Sequence, residues 1–323
     1  MKKVTIYFAV LFFLVLSFSS ADAGRSGYKG FIRGNALITV HELKQLLDAG
    51  APNLVILAAE GSVGYRAAHI PGAYLVDRPD YEAPADTQNG VTGNLIDAAG
   101  FTELARRLGI NRDSAVVVYD SKYDATRLWW AFSYYGKFDV RVLDGGMKAW
   151  NEAGYPVEIR VPDAPAKPGN FIAAVALHHL RVDTADIAAL RNDPGAQLWD
   201  TRSIEEFTGA KQMKGAYRAG SIPGSRNSDW TLFKKKENSA EWLTSAEIQP
   251  LLTELGFDPE KKQYFYCQSG VRSTQVLFAL YLSGWQLEKM HNYDSSWIGW
   301  SKDASLPLVT GVPSAGDPRE AKR

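Results

Sequence analysis

The chain repeats itself, and the repeat constrains its architecture more than any other feature. LARRLGINRDSAVVVYD (104–120) resembles LLTELGFDPEKKQYFYC (251–267). Leu108 and Leu255 stand 147 positions apart, as do Gly109 and Gly256, Tyr119 and Tyr266, and Asp120 and Cys267. Upstream, AHIPGA (68–73) answers GSIPGS (220–225), with Ile70 and Ile222 offset by 152. Downstream, LDGGMKAW (143–150) answers NYDSSWIGW (292–300), with Asp144/Asp294 and Trp150/Trp300 offset by 150. Order and spacing survive small insertions, so two copies of one domain are expected. The segment 161–170, VPDAPAKPGN, carries three prolines and reads as a linker. The copies are placed at 30–160 and 171–310, with a tail at 311–323.

Each copy has the same coarse pattern. Thr39-x-x-Glu42 and Thr244-x-x-Glu247 have the form of capping boxes that start helices. NLVILAAE, AVVVYD and VRVLDGG in the first copy, and QLWDTR and QYFYC in the second, are short apolar runs ending at turn residues. Such runs suit strands buried on both faces. They alternate with amphipathic stretches such as HELKQLLDAG and FTELARRLG. The expected class is α/β, each domain a parallel sheet with helices on both faces.

The first residues form a separate unit. Lys2 and Lys3 precede the mostly apolar stretch from Val4 to Phe18, and Ala21-Asp22-Ala23 has the A-x-A form of a cleavage site. This pattern is expected to be a secretory signal peptide at 1–23, cut after Ala23, which would place the mature protein in the periplasm. No cysteine follows the apolar stretch, and no later segment has the composition of a membrane span. Basic and acidic residues balance at 36 each. That gives no electrostatic case for nucleic acid or an anionic membrane as partner.

One cysteine, Cys267, serves the whole chain. It cannot form an internal disulfide, so it is either an inert buried thiol or one kept for chemistry. Its position favours chemistry. It follows the strand QYFY, at the carboxyl end beyond which open α/β sheets bind ligands. Gln268, Ser269, Gly270 and Val271 follow as a short loop, then Arg272, then a helix that closes at Gly284 with Ser273 as its expected N-cap. A loop curled around the sulfur would aim backbone N–H groups at it, and Arg272 would add a positive charge. Both favour the thiolate, which is the nucleophile.

The two-domain layout, the IPG stretches, VLDGGMKAW and the cysteine loop together resemble the tandem-domain rhodanese family. Its members are the thiosulfate and 3-mercaptopyruvate sulfurtransferases. The resemblance covers about residues 30 to 310. It implies an active cysteine in the second domain only, matching Asp120 where the second copy has Cys267; the first domain then helps to wall the site. Four residues between Cys267 and Arg272 resemble the sulfurtransferase loop, one shorter than the phosphatase loop on the same fold. The implied reaction needs no cofactor or metal. Cys267 would take the outer sulfur of a small-molecule donor as a persulfide and pass it to a thiol or to cyanide.

The loop CQSGVR matches neither sulfurtransferase branch in full. Mercaptopyruvate relatives tend to have Cys-Gly-Ser/Thr-Gly-Val-Thr and an arginine where this chain has Thr208. Arg272 suits a dianionic donor by charge-assisted hydrogen bonds, so thiosulfate is the expected donor and 3-mercaptopyruvate the alternative. A non-enzymatic sulfur carrier or docking module is the competing class. Arg218 is a candidate second clamp, Asp200 a candidate for fixing loop or arginine geometry, and Trp230 a candidate wall of the pocket mouth. Lys234, Lys235 and Lys236 read as a solvated run. His178 and His179 are too few for a metal site, and His69 is expected to shape a turn. Ser295 stands where relatives often carry glycine.

Overall fold

The computed structural model describes residues 27–85, 90–190 and 193–312. The expected signal peptide and residues 313–323 of the tail lie outside the described residues. In the first domain β1 (Leu37–Ile38), α1 (Val40–Asp48), β2 (Leu54–Ala58), α2 (Ser62–Ala67), β3 (Tyr74–Leu75) and α3 (Arg78–Tyr81) follow one another. Then come α4 (Ala98–Arg107), β4 (Ala115–Tyr119), α5 (Ala125–Tyr134), β5 (Val140–Leu143) and α6 (Gly146–Glu152). The second domain runs β6 (Arg181–Val182), α7 (Thr184–Ala189), β7 (Ala196–Asp200), α8 (Ile204–Thr208) and β8 (Arg226–Asn227). It continues with α9 (Ser245–Leu255), β9 (Lys262–Tyr266), α10 (Arg272–Leu282), β10 (Met290–Tyr293) and α11 (Ser296–Lys302).

Both sheets are parallel and have one topology: β1-β5-β4-β2-β3 is repeated as β6-β10-β9-β7-β8. The longer strands of the first domain, β2, β4 and β5, are mostly apolar because both faces are covered, whereas β7, β9 and β10 carry buried polar residues such as Gln197, Gln263 and Asn292. Val116 and Val118 of β4 join the cluster of Leu104 and Phe132, whereas Val117 and Tyr119 pack with Leu43, Met147 and Trp150. The predicted capping boxes form at α1 and α9. Thr39 Oγ1 accepts from the Glu42 N–H and Thr244 Oγ1 from the Glu247 N–H, and each glutamate accepts from its threonine N–H. The two-residue edge strands are too short to leave a periodic signal.

The two domains share one core. Helices α5 and α10 face each other with the hydroxyls of Thr126 and Thr274 2.8 Å apart. Trp129 packs edge-on against Phe278, ring centroids 4.7 Å apart, and Trp242 lies 5.2 Å from the same ring. Fully burying a ring of this size stabilises by roughly 2–3 kcal/mol, so the interface is a core and not a loose contact. Among the described residues no helix is long and apolar enough to cross a membrane.

Candidate active site

Strand β9 ends at Tyr266, paired with Asp200 at the end of β7, and Cys267 is the next residue. The loop after it is held by the turn that follows β10. The Cys267 carbonyl accepts from Trp297 N–H (3.0 Å), and the Gln268 carbonyl from Ile298 N–H (3.0 Å). The Cys267 N–H donates to Ser296 Oγ (3.1 Å), which itself donates to the Tyr293 carbonyl (2.8 Å). Ser296 adopts φ 49°, a left-handed conformation rare for a residue with a side chain. The first copy has Gly146 at that position, where a Cβ would stand 2.1 Å from the Asp120 carbonyl oxygen. In the second copy the strained backbone delivers a hydroxyl to the cysteine.

Cys267 is 1% exposed. Burial alone would push its thiol up. The charge of Arg272, the N–H groups of Ser273 and Ser269, and the Ser273 hydroxyl outweigh it and hold the thiol below its ordinary value. Arg272 does not point its fork outward. Its terminal nitrogens make a bidentate pair with Glu206 at 2.7 and 2.9 Å. Burial would raise the Glu206 carboxyl, but the hydrogen bonds and charge of Arg272, with the charge of Arg202, hold it below the usual range. Arg272 therefore acts on the sulfur through its field, not as the free grip on a sulfonate that the sequence suggested.

The first domain reaches into the loop. Arg127, fully buried, donates to the Gly270 carbonyl (3.2 Å), to the Gly93 carbonyl (2.8 Å) and to Asp294 Oδ1 (2.5 Å). Asp294 also accepts from the Leu95 N–H (2.9 Å) and pairs with Arg181 (2.8 Å). Gly270 has φ 72°, and a Cβ there would meet the Asp294 carbonyl oxygen at 2.6 Å, so only glycine fits. Gly93 sits so close to Ser269 that its Cβ would lie 2.6 Å from the serine Cβ. Ser295 Oγ lies 2.9 Å from Asn94 Oδ1, tying the β10 turn to the same first-domain segment. Of the loop side chains, Gln268 donates to the Lys214 carbonyl (3.3 Å), and Val271 is buried at the start of α10.

Several expected roles change. Ser273 is not the N-cap. Val271 holds that position without a side-chain bond, and Ser273 lies in the first turn of α10 with its hydroxyl 3.7 Å from Cys267 Sγ. Arg218 is not a clamp. Its guanidinium donates to the carbonyls of Trp300, Ser301, Asp303 and Leu306, closing the end of α11. Asp200 is fully buried and grips Arg202 with both oxygens, so it fixes an arginine one step away from the loop. Trp230 packs edge-on against Tyr123 at 5.1 Å, which assigns it to the domain interface. Lys234 departs from the solvated run: it is 6% exposed, with its ammonium over the Trp242 ring at 3.3 Å. Burial lowers the Lys234 pKa and raises that of Asp120, each opposed by the charge of the other. His179 meets His291, whose Nδ1 lies 2.6 Å from the His179 carbonyl oxygen. Among the described residues no three potential metal ligands converge. His69 stacks on Tyr65 at 4.0 Å and pairs through its backbone with Glu158.

Arg127, Asp294, Ser296, Glu206 and Asn292 join the site without having been candidates. Asp294, Ser296 and Asn292 lie in the repeated stretch 292–300, where the match of Asp294 to Asp144 is the one signal; Arg127 and Glu206 act through partners distant in sequence and leave no local trace.

Comparison with known proteins agrees with this arrangement. The profile of the rhodanese-like domain matches twice, at residues 39–153 and 183–303. The thiosulfate sulfurtransferase of Corynebacterium glutamicum is 32% identical over 272 residues, 81% of this chain and 87% of the relative. The sulfur carrier protein TtuD of Thermus thermophilus is 33% identical, covering 87% and 99%. The probable 3-mercaptopyruvate sulfurtransferase of Pseudomonas aeruginosa is 32% identical, covering 85% and 98%. Among solved structures, YnjE shares the fold at TM-score 0.77 and 24% identity, over 91% of this chain and 72% of that one. The anaerobic ergothioneine biosynthesis enzyme of Chlorobium limicola shares it at 0.75 and 24%, over 88% and 72%. With two domains of this kind and the cysteine loop in the second, the chain belongs to the tandem-domain rhodanese family of sulfurtransferases.

Proposed function

We propose that the protein takes the sulfane sulfur of thiosulfate onto Cys267 and passes it to a thiol or to cyanide. The observation that carries this reading is the sulfur's setting: a buried thiol held below its ordinary pKa by Arg272 and by loop N–H groups. The thiolate attacks the outer sulfur, sulfite leaves, and the same N–H groups face the persulfide.

The choice of donor rests on committed arginines. A 3-mercaptopyruvate donor brings a carboxylate that a free guanidinium would hold. Arg218 is spent on carbonyls around the end of α11, and the terminal nitrogens of Arg272 on Glu206. Thr208, where mercaptopyruvate relatives tend to have arginine, turns its hydroxyl to the Glu205 carbonyl at 3.4 Å. Thiosulfate has no carboxylate to hold; its sulfonate oxygens, which lose the Arg272 grip as well, would rest on the loop N–H groups.

Relatives of nearly equal identity carry the names thiosulfate sulfurtransferase, probable 3-mercaptopyruvate sulfurtransferase and sulfur carrier protein. Steady-state sulfite and thiocyanate release from thiosulfate, set beside pyruvate release from 3-mercaptopyruvate, tests the donor. Faster turnover with 3-mercaptopyruvate would overturn the thiosulfate assignment. A persulfide that forms but is discharged only to a protein acceptor would favour the carrier reading. The leader-like N-terminus supports work in the periplasm; a mature chain starting at Gly24 in that fraction is expected, and an uncut cytoplasmic chain would contradict it.

A further inference from the structure

The hydroxyl of Ser273 faces two acceptors and has one hydrogen to give. Ser273 Oγ lies 2.6 Å from Asn292 Oδ1 and 3.7 Å from Cys267 Sγ. All three side chains are buried: Ser273 and Asn292 at 0% exposure, Cys267 at 1%. Asn292 is itself fixed, because its Nδ2 donates to the Gly270 carbonyl at 3.1 Å. That orientation leaves Oδ1 turned to the serine.

We propose that Ser273 is a catalytic donor whose hydrogen follows the charge on the Cys267 sulfur, with the Asn292 side-chain carbonyl as its resting acceptor. The proposal rests on the persulfide reading. In the charging step the thiolate bonds to the outer sulfur of the donor. The donor's S–S bond breaks, and its electron pair leaves on sulfite. In the discharging step the acceptor's lone pair bonds to the outer sulfur. The Cys267 S–S bond breaks, and its pair returns to Sγ. Negative charge thus leaves Sγ in one half-reaction and reappears there in the other, with no proton taken up or released at Ser273. A thiolate is a strong acceptor in a buried site and draws the hydrogen from Asn292. The divalent Sγ of a persulfide is a weak one, and the hydrogen swings back. Discharge gains most, because its leaving group is the thiolate that Ser273 stabilises.

The charged groups packed around the loop are paired and are not altered by changes at Ser273. They are Arg272 with Glu206, Arg202 with Asp200, and Arg127 and Arg181 with Asp294. The test compares wild type, Ser273→Ala and Ser273→Thr in two measurements. One is the pH dependence of Cys267 alkylation by iodoacetamide; the other is single-turnover discharge by cyanide of a pre-formed persulfide. Loss of one hydrogen bond to a charged group is expected to raise the alkylation midpoint by about one pH unit and slow discharge roughly tenfold in Ser273→Ala. Ser273→Thr should recover both. Unchanged midpoint and discharge in Ser273→Ala would overturn the assignment. So would a defect that threonine does not repair, which would mark packing alone. If wild type takes no sulfur from any donor, the functional reading fails, and the alkylation profiles alone then decide whether Ser273 serves the thiolate.

Discussion

The Asp120 loop and the Cys267 loop are built on one scaffold and do different things. The Asp120 carbonyl accepts from Met147 N–H (3.1 Å) as the Cys267 carbonyl does from Trp297 N–H (3.0 Å). Each loop is braced by the other domain: Gln275 donates to the Tyr123 carbonyl (2.7 Å), and Arg127 to the Gly270 carbonyl (3.2 Å). The difference lies in what fills the cradle. In the first loop the Asp120 carboxylate accepts from the N–H groups of Lys122 and Ala125 at 3.1 and 2.5 Å. The loop has swallowed its own anion, and Lys234 from the second domain balances it. In the second loop a polarisable sulfur receives the N–H groups and keeps its chemistry. An anion-binding cradle is thus a backbone property, and the residue at its centre decides whether it is a site or a brace.

Changing the central residue should have the largest effect. Cys267→Ser is expected to remove sulfur transfer by on the order of a thousandfold or more, and adding Asp120→Cys to it should restore none. Sulfite release from thiosulfate measures both. Next comes the cross-domain brace. Arg127→Met removes one of the two arginines that pair with Asp294, leaving Arg181 alone, and should destabilise the protein by roughly 2 kcal/mol in denaturant unfolding. The same change loosens Gly270, so persulfide formation should fall in protein that is still folded.

The first loop offers the counterpart. Lys234→Met leaves Asp120 without its balancing charge and should cost about 2–3 kcal/mol, while Lys234→Met with Asp120→Asn should recover most of it. Transfer activity should follow stability and nothing more. The smallest effects concern the field at the sulfur. Arg272→Gln should raise the pH midpoint of Cys267 alkylation by roughly one unit, and Glu206→Gln should lower it by less. The sign follows from the thiolate being the reactive form: its fraction falls as pH drops through the folded pKa, so a raised midpoint means slower reaction at neutral pH.

The sequence carried the repeat, the long strands and the cysteine's place at a strand end, because these are local patterns of apolar runs and turns. It did not carry the bracing. Arg127 looks like any helical arginine until α5 is laid against α10. Lys234 reads as one of three solvated lysines, since its burial depends on Trp242 and Asp120 elsewhere in the chain. Ser273 has the composition of a helix cap, but α10 starts at Arg272 and turns the hydroxyl inward to the sulfur. Arg218 reads as a second clamp; four carbonyls at the end of α11 claim it.

Two equivalent cradles differ in their central residue, so sulfur is expected to be carried at Cys267 alone. Intact-mass analysis of wild type and Cys267→Ser after thiosulfate treatment tests it most directly. A gain of one sulfur atom is expected in wild type, mapped to Cys267 and removed by cyanide, with no gain in the variant. Sulfur retained by Cys267→Ser, or mapped to any other position in wild type, would contradict it.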